Sequence, residues 1–540
     1  MASMLVHAQS ATAQPESGPP DGCDSPETLT KANIERLGRE RPAAFTRWTS
    51  EVTFVFTIIV SMMMSEYFVS GFNIVLPTIA SEIDIPDAQR TWPAEVINLT
   101  TAALLLPFAR LCDRHGGRSI FLLGHAWLTI WSLVAGFSQN PTMLIVCRAM
   151  QGLGSSAYLP AGISLLGTLY RPGPRKNLVF SSYGAMACVG FYIGIFLGAV
   201  AGQLLTWRWF FYIGTIMVAV NTVIAFLAIP RHLGDGDAGV RMDWWGVATI
   251  VPGISLVVYA LTDGTHAPSG WKTPYIIVTF VLGVLLLCAA VYVEGWVSAQ
   301  PLLPPELLRP KYMRRLAMSM FCSYGTFGLF LFYASYQLQT VLNTTPLQTA
   351  AWFTPLAVGG MFLAVAGGLL LHLLPGRLLL IISGIGYMIS VLLFAVMPAQ
   401  SGGGQPSLSF LYWAYVFPAM LCGTIGVDIL YNVTNIFITT AMPARLQATA
   451  GALINSLLYL GMAFWLGIGE LAVSTTVEYR GGEDSVSLRE QYQVGFWLGV
   501  GLAGLALILN ATINLGEAAA EMTADEKEQA RLEQSQQVSS

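Results

Sequence analysis

The segment from Thr142 to Tyr170, TMLIVCRAMQGLGSSAYLPAGISLLGTLY, decides the fold because it combines a long apolar run with a single arginine. Arg148 lies inside this run, and leaving its guanidinium unpaired in hydrocarbon would cost several kcal/mol. The arginine must therefore face other helices or water and find hydrogen-bond acceptors. Small residues follow it from Gly152 to Ser156 and allow neighbouring helices to approach closely. This combination indicates a membrane helix bundle with a charged, closely packed centre.

The composition indicates a membrane protein. Of the 540 residues, 54% are hydrophobic and only 11% are charged, whereas soluble domains carry about 25% charged residues. The net charge of −4 includes no basic patch, which excludes a typical nucleic-acid-binding protein. Six of the seven cysteines lie in or beside apolar segments. Their spacing fits neither a disulfide framework nor a zinc site, so we interpret them as packing residues and expect no metal.

Apolar runs of about twenty residues follow one another along the chain and predict fourteen transmembrane helices. The predicted spans are 52–78, 92–111, 119–138, 142–170, 177–203, 208–229, 244–262, 274–297, 314–340, 347–371, 375–397, 407–433, 446–473 and 492–514. We therefore expect an all-α polytopic membrane protein whose main partner is the lipid bilayer.

Lysine and arginine residues concentrate in alternate loops and predict the orientation of the chain. The loops on the side of the N-terminus contain Arg110, Arg114, Arg118, Arg171, Arg175, Lys176, Arg231, Arg241, Arg309, Lys311, Arg314, Arg315, Arg377 and Arg445, and the other loops contain Arg90, Arg208, Lys272, Arg480 and Arg489. The positive-inside rule then places both termini in the cytoplasm. The polar segments 1–50 and 516–540 are predicted cytoplasmic tails, the first of them disordered.

Two similar loops indicate that the chain is duplicated. The stretches ARLCDRHGGR and GLLLHLLPGR both end in Gly-Arg, at Arg118 and Arg377, and this alignment places Asp113 opposite His372. Parallel duplicated halves with the substrate path between them are a known plan of transporters. The predicted units are an N-terminal six-helix bundle at 51–230, a two-helix insert at 231–300 and a C-terminal six-helix bundle at 301–515.

Two motifs resemble those of the major facilitator superfamily. The loop LPFARLCDRHGGRSIF is similar to the signature Gly-x-Leu-Ala-Asp-Arg-x-Gly-Arg-Lys. The run LIVCRAMQGLGSS is similar to the fourth-helix motif Arg-x-x-Gln-Gly-x-Gly. The matching residues are Leu111, Asp113, Arg114 and Gly116 in the loop, and Arg148, Gln151, Gly152 and Gly154 in the helix.

Two further stretches resemble the fourteen-helix drug:proton antiporter family, its fungal members especially. One is GFYIGIFLGAVAGQLLTWRWFFYIG, which begins at Gly190. The other is the insert, which Asp243-Trp-Trp-Gly246 opens and Glu294 and PLLPPELL close. The chain departs from the family at Ile195, where a proline is usual, and at Phe68, where helix one usually has an aspartate. Glu66 cannot simply replace that aspartate, because two residues turn a helix by about 200°.

The resemblance implies a secondary active transporter with the major facilitator fold. It would export small amphipathic compounds such as drugs, toxins or secondary metabolites in exchange for protons, by alternating access. We expect no cofactor beyond the proton gradient, no enzymatic activity, and a monomer in the plasma membrane, with the vacuolar membrane as an alternative. The rival hypothesis is a uniporter or a proton symporter for a specific metabolite. A sensor or scaffold and an intramembrane enzyme are weaker alternatives, because the sequence has neither a folded tail domain nor a nucleophile–base pair.

Polar residues inside the spans are candidates for the proton-coupling or substrate pathway. These candidates are Glu66, Glu95, Arg148, Gln151 and Asp428. Four of them have a structural alternative, which is a neutral hydrogen bond between helices for Glu66 and an anchor on backbone carbonyls for Arg148. Glu95 is favoured by the helix dipole in any case, and Asp428 could bond to Tyr431 or Asn432. Glu470, near the end of its span, is expected to be solvated.

Three other sets of residues have predicted conformational or surface roles. The resemblance implies a conformational latch at Asp113, Arg114 and Arg118, with solvated loop charges as the alternative. The glycines at four-residue spacing predict a helix-packing seam, and they are Gly190, Gly194 and Gly198. The sequon at Asn343 is a glycosylation candidate, although the short loop favours an unmodified asparagine.

Overall fold

The computed structural model describes residues 41–42, 44–86, 89–170, 174–231, 236–237, 239–264, 266–370, 374–399, 407–442, 444–482 and 485–515. Most of the predicted N-terminal tail, the whole C-terminal tail, Arg171 and His372 lie outside the described residues. The predicted alignment of Asp113 with His372 therefore stays a prediction. Residues 48–50, which were predicted to belong to the tail, form the first turn of a helix.

The part of the chain that the structure describes contains fourteen long α-helices, numbered here α1 to α14. Their bounds are α1 Trp48–Glu82, α2 Trp92–His115, α3 Gly117–Gly136, α4 Pro141–Leu169, α5 Pro174–Leu204, α6 Arg208–Ala228, α7 Trp244–Asp263, α8 Pro274–Tyr292, α9 Met313–Tyr336, α10 Pro346–Leu370, α11 Gly376–Ala395, α12 Phe417–Ala441, α13 Ala444–Tyr479 and α14 Leu488–Ala511. Each coincides with one predicted span. Single π turns extend α8 and α9 and precede α12.

Twelve of the described helices are long and apolar enough to cross a membrane by length and composition. Helices α4 and α10 form where the sequence predicts spans but are not among these twelve. Helix α4 is not among the twelve because the run of glycines, serines and polar residues that begins at Arg148 lowers its mean hydropathy. The all-helical fold is confirmed, whereas the count of fourteen spans stays a prediction.

Local signals in the sequence fix where several helices begin and end. The side chain of Asn140 accepts a hydrogen bond from the backbone N–H of Met143 at 2.8 Å, and Pro141 follows it as the first helical residue. Ser487 and Glu490 form a capping box at the start of α14. Gly116 separates α2 from α3 with a φ of 87°, a conformation that favours glycine. The sequence therefore determines these boundaries locally.

The helices pack around a common apolar core. In the first part of the chain α1 packs against α5 and α6, and α3 packs against α4 and α6. In the last part α9 packs against α13 and α14, and α11 packs against α12 and α14. Contacts of α2 with α13 and of α5 with α10 join the two parts, while α7 and α8 pair with each other and α7 also touches α2 and α13. The division into two six-helix bundles and an insert stays a prediction.

The predicted glycine seam lies where α5 crosses α1. A Cβ atom added at Gly194 would lie 2.6 Å from the carbonyl oxygen of Tyr67, and one added at Gly198 would lie 2.6 Å from that of Gly71. A Cβ at Gly190 would collide with the backbone of Met63. The two backbones are therefore in direct contact, which larger residues would prevent.

Candidate functional site

A cavity opens at the face of the molecule where α2 ends and α3 begins, called here the α2–α3 loop face. Its volume is about 710 Å³, and its wall includes Arg110, Asp113, Gln300 and Thr449. A narrower cavity of about 30 Å³ shares Arg110, Asp113 and Thr449 with it and extends inward to Tyr459. This inner cavity has room for about one or two water molecules. A route lined by both polar and apolar side chains thus leads from the loop face toward the middle of the bundle.

Hydrogen bonds join the two parts of the chain near the opposite face. The amide of Gln339 donates to the carbonyl oxygen of Ile74 at 3.0 Å. The backbone N–H of Leu347 donates to Oε1 of Gln203 at 3.0 Å. The cavity and these contacts lie at opposite ends of the helices, so the described conformation opens toward the α2–α3 loop face.

Glu66 lies at the middle of α1 and is connected to the inner cavity through Tyr459. The tyrosine hydroxyl donates to Oε1 of Glu66 at 3.4 Å and lies 3.1 Å from Oγ of Ser65. Tyr459 belongs to α13 and lines the inner cavity. The carboxyl group is therefore one side chain away from a space that can hold water.

The side chain of Asp428 on α12 accepts hydrogen bonds from its own helix and from α5. Thr424 donates to Oδ2 at 2.8 Å on the same helix, and Cys188 of α5 donates to Oδ1 at 3.4 Å. Asn432 donates to the backbone carbonyl of Asp428 and not to its side chain. The inter-helix bond thus goes to Cys188, one of the cysteines interpreted above as packing residues.

The carboxyl groups of Glu66 and Asp428 border a common region. Cys188 and Tyr324 interact electrostatically with both of them. Glu66 also interacts with Tyr183 and Tyr431, whose rings lie in the same region. The centre of the bundle therefore combines two acids with several tyrosine side chains.

Arg148 is completely buried and is held by uncharged groups. Its Nε donates to the carbonyl oxygen of Pro93 at 3.0 Å, and one terminal nitrogen donates to that of Phe68 at 2.9 Å and to Oε1 of Gln151 at 3.1 Å. Its guanidinium also lies 4.0 Å from the centre of the Phe72 ring. The other terminal nitrogen has no hydrogen-bond partner among the described residues. These contacts match the structural alternative that the sequence left open.

Gln151 extends this network to α3. Its amide nitrogen donates to Oγ of Ser132 at 3.1 Å, and the glutamine is completely buried. At position 68, the phenylalanine side chain packs against Tyr67 and Phe210. Only its carbonyl oxygen reaches Arg148.

Glu95 lies in the first turn of α2, away from the other two acids. Its Oε2 accepts a hydrogen bond from Thr262 of α7 at 3.1 Å, and its Oε1 has no partner among the described residues. Nearby, Nε2 of His266 lies 2.9 Å from Oε1 of Glu470, whose side chain is only 13% exposed. The expectation that Glu470 is solvated was therefore wrong, because the insert covers it.

The three predicted latch residues have different surroundings. Arg118 donates to the carbonyl oxygens of Ile229 at 3.0 Å and Phe226 at 3.1 Å, at the end of α6. Asp113 is exposed, and its side chain lines both cavities. Arg114 is exposed, and no ion pair joins it to another residue of the described ranges.

Asn343 is exposed in the short connection between α9 and α10 and has a φ of 52°. Thr344, the middle residue of its sequon, is buried and donates to the carbonyl oxygen of Leu338 at 2.8 Å. The sequon is therefore held close to the helix ends.

Sequence reasoning missed Tyr459 and Arg110, which line the route. Tyr459 follows the polar residues Asn455 and Ser456 by about one helical turn in an apolar span, and this spacing was an available signal. Arg110 was counted only as a loop charge. Among the described residues, no cluster of three or more His, Cys, Asp or Glu side chains could hold a metal ion.

The sequence profile of the Major Facilitator Superfamily matches residues 55–466 of the chain. The protein belongs to the major facilitator superfamily. This facilitator is 28% identical over 504 residues to the efflux pump terJ of Aspergillus terreus, with 92% of the chain and 93% of the relative covered. It is also 30% identical over 432 residues to the low affinity ammonium transporter of Saccharomyces cerevisiae, with 78% and 80% covered.

A solved structure supports the assignment of the fold. The crystal structure of the peptide transporter POT in complex with sulfate superposes on this facilitator with a TM-score of 0.58. The sequence identity is 15%, and the superposition covers 88% of this chain and 96% of the other. At this identity the similarity concerns the fold alone. The family is that of transporters, not of enzymes.

Proposed function

We propose that this facilitator is a secondary active transporter that exports small amphipathic organic compounds in exchange for protons. The observation that carries the proposal is the connection from Glu66 through Tyr459 to a cavity at the α2–α3 loop face. A charged side chain in the middle of a membrane helix is costly, and such residues usually face the bundle interior or water and mark proton or ion pathways. In alternating access, a state that is open at one face is closed at the other. The hydrogen bonds near the opposite face are consistent with such a state.

The central region suits substrates that carry a basic nitrogen. Glu66 and Asp428 supply negative charge, and the nearby Tyr183 and Tyr324 are aromatic residues of the kind that bind cations. Two carboxyl groups outweigh the single positive charge of Arg148, which is hydrogen-bonded to backbone carbonyls and Gln151 but not neutralised by them. Export is supported by the similarity to the efflux pump of Aspergillus terreus.

The second candidate is uptake or facilitated diffusion of one specific metabolite. It is favoured by the neutral surroundings of Arg148, because Phe68 replaces the acid that the antiporter family usually has on helix one. The similarity to the low affinity ammonium transporter of Saccharomyces cerevisiae also supports transport of one specific metabolite. In this alternative Glu66 and Asp428 would bind the metabolite without coupling it to protons, or would couple it in symport.

A pH step across proteoliposomes separates these possibilities. The probe is an aromatic quaternary ammonium compound, whose fixed charge prevents passive trapping on the acidic side. An antiporter accumulates the probe on the acidic side, a symporter accumulates it on the alkaline side, and a uniporter only equilibrates it. Protein-free liposomes are the control. Equilibration without accumulation would reject proton-coupled export.

We also propose a monomer in the plasma membrane with both termini in the cytoplasm. The charge distribution of the loops supports this orientation. Epitope tags on the two tails test it: they should be accessible to antibodies only after the cells are permeabilised. Binding of antibodies to the tags in intact cells would show that the termini lie outside the cell.

A further inference from the structure

Two buried carboxyl groups meet at the base of the insert, far from the central acids. Asp243 precedes α7 and is 6% exposed, and Glu294 lies in the π turn after α8 and is 8% exposed. The Oδ1 atom of Asp243 accepts a hydrogen bond from the backbone N–H of Gly246 at 2.8 Å. The Oε2 atom of Glu294 accepts one from the backbone N–H of Leu303 at 2.8 Å. One oxygen of each carboxyl group is thus satisfied by the backbone.

The remaining two oxygens face each other. Neither Oδ2 of Asp243 nor Oε1 of Glu294 accepts a hydrogen bond from an N–H or O–H donor of a described residue. A Cβ atom added at Gly246 would collide with Oε1 of Glu294 and would lie 2.6 Å from Oδ2 of Asp243. The side chains of Asp243 and Glu294 also interact directly with each other. A residue larger than glycine would therefore separate them.

The charges around the pair balance if it holds one proton. Two ionised carboxylates in contact repel each other, and burial increases the repulsion. Arg110 on α2 interacts electrostatically with Glu294 and supplies one positive charge. Arg241 lies two residues before Asp243, but its side chain is exposed. Glu306, an acidic residue between α8 and α9, lines the open cavity. One cation facing two carboxyl groups is neutralised when the pair carries a single negative charge.

The pair also holds a segment that forms a wall of the cavity. Residues 298–308, called here the linker, contribute Ala299, Gln300 and Pro301 to the wall of the open cavity. Arg110 donates to the carbonyl oxygens of Gln300 at 3.1 Å and Pro301 at 2.7 Å. Glu294 binds the linker at Leu303 from the other side. The position of the linker therefore depends on both Arg110 and the carboxyl pair.

We propose that Asp243 and Glu294 share a single proton between Oδ2 and Oε1, and that this proton fixes the linker at the mouth of the cavity. Loss of the proton leaves two adjacent negative charges, which push the base of α7 away from the end of α8. The linker then loosens, and the mouth of the cavity widens. The site binds a proton independently of Glu66 and of any substrate.

Infrared spectroscopy of the purified protein in lipid tests the shared proton directly. Protonated and ionised carboxyl groups absorb at different frequencies. Asp243→Asn and Glu294→Gln should each remove the absorption of one protonated carboxyl group at neutral pH, because the remaining acid ionises next to an amide donor. The double variant should also remove only one. Loss in neither single variant, loss in only one of them, or loss of two groups in the double variant would overturn the proposal.

Cysteine labelling tests the effect on the linker without changing the pair. Ala299→Cys places a thiol on the exposed, cavity-lining part of the linker. The extent of labelling is measured by mass spectrometry of the peptide that carries residue 299. As the pH rises, labelling should increase several-fold more than ionisation of the thiol alone explains. The same cysteine combined with Glu294→Gln should follow thiol ionisation only. Labelling of Ala299→Cys that follows thiol ionisation in the unaltered pair would overturn the linker part of the proposal.

Discussion

The hydroxyl group of Tyr459 on α13 lies 3.4 Å from Oε1 of Glu66 on α1, so one hydrogen bond joins two residues that are 393 positions apart in the chain. Helices α1 and α13 come from the two parts of the chain that alternating access would move relative to each other. A relative movement of the helices would alter this hydrogen bond. The protonation state of Glu66 and the conformation of the protein are therefore expected to influence each other.

Replacement of Glu66 by glutamine is expected to abolish the pH dependence of efflux and to leave expression intact. Glutamine has nearly the same volume and accepts the bond from Tyr459, but it cannot release a proton. Efflux of the quaternary ammonium probe, measured over a range of pH, checks this prediction. The control variant Tyr459→Phe should retain pH dependence with its midpoint at higher pH, because it removes a donor that favours the ionised carboxylate. Unchanged pH dependence in Glu66→Gln would exclude a coupling role.

The variant Asp428→Asn is expected to weaken the binding of cationic substrates selectively. Hydrogen bonds and ion pairs with a buried charge contribute about 1.5–3 kcal/mol, so the KM for the quaternary ammonium probe should increase at least about tenfold. The KM for an uncharged substrate of similar size should change little. Cys188→Ala is the matched control, since it removes only the 3.4 Å bond to the carboxylate. Equal effects on charged and uncharged substrates would contradict the proposed cation preference.

Bulky substitutions in the glycine seam are expected to destabilise the protein. Gly194→Val would force α5 away from Tyr67 of α1, and overpacking of this kind costs about 1–3 kcal/mol. Gly184→Ala is the control on the same helix, because no atom lies within 4 Å of the added Cβ position. Thermal unfolding in detergent should show a lower Tm for the first variant and an equal or higher Tm for the second. Equal values of Tm would show that the two helices can separate at little cost.

The ion pair between Glu51 and Arg175 is expected to stabilise the start of α1 without affecting coupling. Arg175 donates to Oε1 at 2.8 Å and to Oε2 at 2.7 Å, and the hydroxyl of Tyr170 donates to Oε1 at 2.9 Å. The bond to Glu51 raises the pKa of Arg175 above its ordinary value. A cationic group loses its charge only when the pH rises through its pKa. Arg175 therefore stays charged at every physiological pH.

The variant Glu51→Gln should therefore lower Tm by a similar amount at mildly acidic and mildly alkaline pH. The pH profile of transport should remain that of the unaltered protein, in contrast to Glu66→Gln. A changed transport profile would assign Glu51 to the coupling machinery.

The helices could be predicted from the sequence because a membrane requires apolar runs of a given length. The split between α10 and α11 at Gly376 was also predictable, since Pro375 and Gly376 interrupt the pattern. The sequence also predicted that Arg148 must find acceptors. It could not identify them, because the carbonyl oxygens of Pro93 and Phe68 come from two other helices whose rotation depends on packing.

The contacts of the acids depend on tertiary structure in the same way. Glu470 is near the end of its span, and nothing in its neighbourhood along the chain reveals that His266 of the insert covers it. The pairing of Asp428 with Cys188 joins residues 240 positions apart. Single-sequence patterns describe the face of each helix but not which helix lies next to it.

The contacts that join the two parts of the chain near the face opposite the cavity have a consequence for kinetics. The bonds of Gln339 to Ile74 and of Gln203 to Leu347 involve only uncharged amide and carbonyl groups. Dissolved ions screen charges but hardly weaken such bonds. The barrier for opening this side should therefore change little between dilute and concentrated salt.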